Sequence, residues 1–156
     1  MNELINKISS YNLFNYLLPG AIFVAIFEKI MSYKITQSDL LVNAFLIYFV
    51  GLVISRIGSL IVEPIIRRFV TFADYKDFVS ASKKDEKIEI LSEANNTYRT
   101  FVALFIVIFF IKGYDYFIPE NDYGFYILVF LLFALFVFSY IKQTRYITKR
   151  IQNINT

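Results

Sequence analysis

The run Tyr123–Ile141, YGFYILVFLLFALFVFSYI, decides the fold class. It carries no charged residue from end to end. A helix of about 20 such residues crosses the roughly 30 Å hydrocarbon core of a bilayer. The alternative, a helix in the core of a soluble protein, is disfavoured by an apolar run of this length without a charge. Working outward, three further segments share its character: residues 12–33, with Glu28 and Lys29 near the far end, residues 40–62 and residues 99–117. The expected architecture is all-α: a four-helix transmembrane bundle forming a single integral membrane domain over residues 1–156, with a cytoplasmic helical hairpin over residues 64–98 between spans two and three.

Composition points the same way. Hydrophobic residues make up 57% and charged residues 19%, with 18 Phe and 12 Tyr in 156 residues. Soluble domains run nearer 45–50% and about 25%. A globule of this size has too small an interior for that much large apolar surface, so lipid is its natural solvent. Trp is absent, which leaves Tyr to supply an interfacial belt. The start, Met1-Asn2-Glu3-Leu4, lacks the basic stretch, apolar core and small-residue cleavage site of a secretory signal, so the first apolar segment is expected to stay as a membrane anchor.

Lys and Arg set the orientation. The N-terminus, the loop between spans two and three and the C-terminus hold thirteen of the 16, while Lys29, Lys34 and Lys112 lie on the other side. Both termini and the middle segment are therefore expected in the cytoplasm, with the chain in a bacterial inner membrane. The external loops are short. Residues 34–39 form one, with Thr36 and Asp39 at capping-box spacing, and residues 112–122 form the other, broken by Gly113 and Pro119. In the segment 64–98, Ile65, Ile66, Phe69, Phe72 and Ala73, then Ile88, Leu91, Asn95 and Tyr98, fall at helical spacing around the polar stretch 80–85. Two antiparallel arms are expected, each continuing a membrane helix.

Several chemistries are excluded by residue type. Without Cys or His there is no disulfide, thiol nucleophile or Cys/His zinc site. The spans hold a single Asp, Asp115 near the end of the third, and not the pair on two spans that an aspartyl protease site needs, and no Gly-rich phosphate loop occurs. No enzymatic activity, no cofactor, no metal and no direct nucleic-acid binding are expected.

The unusual residues gather in Gly51-Leu-Val-Ile-Ser55-Arg56-Ile-Gly58-Ser59-Leu-Ile-Val-Glu63-Pro64. Gly51, Ser55 and Ser59 recur every four residues. Such a small-residue stripe lets helices approach closely, either within the chain or against a second subunit. Arg56 lies about 10 Å inside Glu63 and must snorkel or find acceptors. The acceptor on offer is in the first span, where Pro19-Gly20 frees the backbone carbonyl of Asn15, beside the Asn15 side-chain amide. Glu63 and Arg99 sit at the same boundary on consecutive antiparallel helices, either as an ion pair or as two separately solvated charges.

Three stretches, FNYLLPG (residues 14–20), the segment from Gly51 to Pro64, and Asn95-Asn96-Thr97-Tyr98-Arg99, together resemble short, largely uncharacterised bacterial four-span membrane proteins. Some such proteins lie in phage-defence loci, where they act as membrane-disrupting effectors or as sensors with a cytoplasmic partner. The resemblance implies such a role here and no catalytic residues. The expected function is a homo-oligomeric inner-membrane effector or sensor, with residues 64–98 receiving a partner protein or signal. The alternatives are a passive anchor for a separately encoded enzyme and a small transporter. The polar residues Asn15, Ser55, Arg56 and Ser59 crowd toward the cytoplasmic half, with Asn43 the main exception, which argues against a constitutive channel.

Overall fold

The computed structural model describes residues 13–31, 33–118 and 123–154, and all regular structure in them is helical. Lys7, the start of the first span at Asn12, and Pro119 lie outside the described residues. A π-helical turn, Leu13–Leu17, runs into α1 (Leu18–Ile30). Helix α2 (Leu40–Ile57) continues through a second π turn, Gly58–Val62, into α3 (Glu63–Ile66). A short α4 (Tyr75–Ser82) precedes two long helices, α5 (Lys87–Phe117) and α6 (Gly124–Ile154). Three stretches are long and apolar enough to cross a membrane: Leu40–Ile66, Lys87–Phe117 and Tyr126–Gln152. At 1.5 Å per residue the 31 residues of α5 and of α6 each reach about 46 Å, so either helix outruns a roughly 30 Å hydrocarbon core.

The core lies where α1, α2 and α5 meet. Phe23 and Val24 come from α1, Ile54 from α2, Val62 from the second π turn, and Ala103, Leu104 and Ile108 from α5. Helix α6 adds no buried residue to it and lies outside this triad. Two glycines set the tightest approach. A Cβ on Gly20 would fall on the backbone carbonyl of Ile47, and one on Gly51 would fall on that of Tyr16. The crossing of the first two helices is therefore backbone against backbone, the contact small residues permit. Gly51 serves packing within the chain.

Both π turns sit just ahead of a proline, Pro19 and Pro64. Proline has no N–H, and its ring collides with the carbonyl four residues back, so it normally kinks a helix. Widening the preceding turn absorbs the collision locally. At the second site the Glu63 N–H bonds the Gly58 carbonyl five residues back. Pro64 offers no donor, which leaves the Ser59 carbonyl without a partner in its own helix.

The α1–α2 connection is pinned by side chains. Glu28 Oε1 accepts from Ile35 N at 2.9 Å, Thr36 N at 2.8 Å and Thr36 Oγ1 at 2.8 Å. Asp39 alone caps α2, accepting from Leu41 N at 2.7 Å and Val42 N at 3.1 Å. The expected Thr36–Asp39 capping box does not form, because Thr36 is committed to Glu28. Asn43 closes a two-way bond with Gln37, accepting from its N–H at 2.7 Å and donating to its carbonyl at 2.6 Å.

The segment between α3 and α5 also differs from two continuous arms. Its second part does run on into α5, but α3 stops at Ile66 and the chain turns over residues 67–69. Arg68 N and Phe69 N bond carbonyls only three residues back, at 3.1 and 2.9 Å, so the last turn tightens and ends. Arg67 stacks over the Phe72 ring at 4.4 Å.

Gly51→Ala and Gly20→Ala should each destabilise by about 3 kcal/mol or more, because the obstacle is backbone and cannot swing aside. Gly113→Ala, with open space around it, should be neutral or stabilise by up to about 1 kcal/mol through helix propensity. Unfolding in mixed detergent micelles would measure all three. Equal effects at Gly51 and Gly113 would contradict the close crossing.

Candidate functional site

Glu63 begins α3 directly after the second π turn and is 7% exposed. Its carboxylate collects three cations from three helical segments. Arg67, one turn on, donates Nη2 to Oε1 at 3.0 Å, and Nε also reaches that oxygen at 3.2 Å. Arg99 of α5 donates Nη1 to Oε2 at 2.5 Å. Lys142 of α6 stands 3.3 Å from the same oxygen. Lys142 also donates to the Ser59 carbonyl at 2.6 Å and to Ser59 Oγ at 2.8 Å. It thus takes up the carbonyl that Pro64 leaves open. One carboxylate and one exposed carbonyl bind α5 and α6 to the α2–α3 rod.

Two further contacts lie beside this hub. Thr97 Oγ1 of α5 donates to Asn15 Oδ1 at 2.7 Å, tying the first π turn to α5. Arg56 Nη2 donates to the Tyr16 hydroxyl at 3.4 Å, and the Tyr16 ring meets Tyr48 edge to face with centroids 5.4 Å apart. The level of the hub follows from helix lengths. Arg99 is 18 residues from Phe117, the end of α5, and Lys142 is 18 residues from Gly124, the start of α6. That is about 27 Å in either helix, close to the full depth of a hydrocarbon core. At that boundary the cost comes from burial in protein, and mutual pairing with hydrogen bonds offsets it.

The residues singled out from the sequence fall into separate places. Glu63 and Arg99 are in contact. Asn15 and Arg56 lie near one another's helices, but Arg56 bonds the Tyr16 hydroxyl, and the Asn15 side chain accepts from Thr97 instead. The reasoning applied to Pro19 operates at Pro64, with Lys142 as the cation. Gly20 and Gly51 serve the α1–α2 crossing, and Pro19 is buried at the start of α1. The Gly51–Ser59 stripe does not face one neighbour. Eight residues leave Ser59 turned about 80° from Gly51, so Gly51 meets the first helix while Ser59 meets α6. Ser55 is half-buried between them, and Asn95 is exposed on α5 away from the hub.

Four contributors escaped the sequence reading: Lys142, Arg67, Tyr16 and Thr97. Arg67 carried a signal, since Glu63 and Arg67 are four apart in a helix. Lys142 carried another, as the first charge after the apolar run of α6. The partners of Tyr16 and Thr97, 40 and 82 residues away, had none.

Comparison with known proteins gives no match: no family profile, no curated protein and no solved structure matches this chain.

Glu63→Gln leaves two inward-facing cations without a counter-charge and should cost on the order of 3 kcal/mol. Arg67→Gln, on a side chain 47% exposed, should cost under about 1 kcal/mol. Arg99→Gln should cost less in the Glu63→Gln background than alone. Denaturant titration of the four proteins would measure the coupling, and strictly additive effects would mean that the charges stabilise the fold independently.

Proposed function

We propose that the chain is a four-span inner-membrane protein, with both termini cytoplasmic, that acts without catalysis as a membrane sensor or effector. A partner protein or signal received by residues 64–98 acts on the bundle through the Glu63 hub, which serves as a latch. The observation that carries this reading is the position of Arg67. It is the first residue after α3, it holds the Glu63 carboxylate, and it stacks on Phe72 of the segment that follows. The same segment reaches α6 through Tyr75 of α4 and Tyr146, whose rings lie 6.0 Å apart. A displacement of residues 67–82 therefore pulls on the carboxylate that joins three helical segments.

The four-span layout draws support from the charge asymmetry and from the first helix, which packs lengthwise on α2 through Gly20 and Gly51. Assembly with further copies draws support from α6, since none of the 18-residue apolar window within it is buried. That face is open to lipid or to a second copy. The engagement of Asn43 by Gln37 favours a latch over a small transporter, because it commits the polar group in the outer half of α2 to closing a loop. A passive anchor for a separate enzyme is the competing reading, and it requires no coupling between residues 64–98 and the bundle.

Alkaline phosphatase fused after residue 154 should be inactive, and fused at Lys34 it should be active; the reverse would overturn the layout. In cells expressing the protein, a membrane-potential dye should report polarised membranes with the wild type and depolarisation with Glu63→Gln, in which the latch is released. A passive anchor would leave the potential unchanged in both.

A further inference from the structure

Between the α2–π rod and α6, next to the hub, lies a cavity of about 30 Å³ lined by Arg56, Ser59, Leu60, Ser139, Lys142, Gln143 and Tyr146. On α6 the lining residues Ser139, Lys142, Gln143 and Tyr146 follow i, i+3, i+4, i+7 spacing, so they form one helix face. Arg56, Ser59 and Leu60 face them at i, i+3, i+4. The chemistry is dominated by donors. Arg56 has five N–H groups and makes one bond, a long one at 3.4 Å, among the described residues. Lys142 has its three N–H groups directed at the Ser59 carbonyl, the Ser59 hydroxyl and Glu63, so it lends positive charge and no further donor.

Ser139 supplies the independent observation. Its Oγ is buried and bonds none of the described residues. Hydroxyls within a helix ordinarily bond the carbonyl four residues back. Thr144 and Thr148 of the same helix do so, each at 3.0 Å. Ser139 does not, and it lines the cavity. A buried hydroxyl of this kind calls for a partner. The surroundings are also unbalanced in charge: Arg67, Arg99 and Lys142 gather about the single carboxylate of Glu63, and Arg56 adds a further cation to the cavity wall.

We infer that this cavity seats the phosphate oxygens of an anionic phospholipid headgroup, held by the Arg56 guanidinium and the Ser139 and Ser59 hydroxyls in the positive field of Lys142. Three features favour a lipid over free phosphate. The cleft lies against α6, at the periphery of the core triad. It lies beside Lys142, about 27 Å from the outer end of that helix, which is headgroup depth. Its volume admits one or two oxygens and nothing larger, as suits a headgroup bound from the side with its tails along the α2–α6 surface. Basic pockets between membrane helices on the cytoplasmic side recognise anionic headgroups in this way. The inference does not depend on the latch reading, since a passive anchor could carry the same site.

The test is native mass spectrometry of the full chain released from equimolar phosphatidylcholine and phosphatidylglycerol. The wild type should retain phosphatidylglycerol with an enrichment of about five-fold, the share that one arginine contributes at an anionic headgroup. Arg56→Gln and Ser139→Ala should each remove most of it, and Ser139→Ala makes so small a change outside the core that the fold is kept. Arg145→Gln, at an exposed cation of α6 outside the cavity, should leave the enrichment as in the wild type. Enrichment that survives both cavity substitutions, or that falls as far with Arg145→Gln, would overturn the site. Displacement of the lipid by millimolar inorganic phosphate would overturn the assignment to a headgroup.

Discussion

The Glu63 carboxylate is where the rest of the structure is joined. Its two oxygens are divided between helical segments. Oε1 takes Arg67 and so fixes how the chain leaves α3, while Oε2 takes Arg99 and Lys142 and so fixes α5 and α6 against the rod. Apolar packing alone would hold these helices weakly, because lipid tails are as apolar as the side chains they would replace. The buried apolar core is small and confined to α1, α2 and α5. Helix α6 depends on polar contacts in its C-terminal half, on Phe49 with Phe136, whose centroids are 6.2 Å apart, and on Tyr75 with Tyr146.

Pro64 makes that junction possible. The widened turn ahead of it carries Glu63 inward and leaves the Ser59 carbonyl open, so Lys142 finds a carbonyl, a hydroxyl and a carboxylate within one reach. An unbroken α-helix over the same residues would have used that carbonyl internally. The first π turn, ahead of Pro19, performs a related task, presenting Asn15 to Thr97 of α5. Two local departures from α-helical geometry thus supply polar fastening at the end of the molecule opposite the α1–α2 connection.

Much of this was legible in the sequence. The uncharged run of α6 and the apolar stretches of α2 and α5 follow from composition and spacing, because bilayer thickness dictates length, while the contact of Glu63 with Arg99 was one of two readings that the spacing left open. The break after Ile66 was hidden, since Phe69, Phe72 and Ala73 keep a helical period although the chain leaves the helix at Arg67. The partner of Arg56 was hidden for a different reason. A freed carbonyl can be inferred from a proline, but which cation reaches it depends on helix rotation, and the π turns alter that rotation. The Gly51–Ser59 stripe failed as a single face for the same cause, compounded by the drift of four-residue spacing around a 3.6-residue helix.

The chain has no cysteine, so a pair introduced for spin labels reports cleanly on its geometry. Labels at Glu93 in the N-terminal part of α5 and Thr148 in the C-terminal part of α6, both exposed, bracket the hub ends of the two helices that the Glu63 carboxylate holds. Their distance distribution in lipid nanodiscs, measured by double electron–electron resonance with Glu63 intact and with Glu63→Gln, tests the junction directly. The account predicts one narrow distribution with Glu63 and a broadened, longer one without it. A distribution unchanged by the substitution would show that α5 and α6 are held by something other than this carboxylate, and would contradict the account.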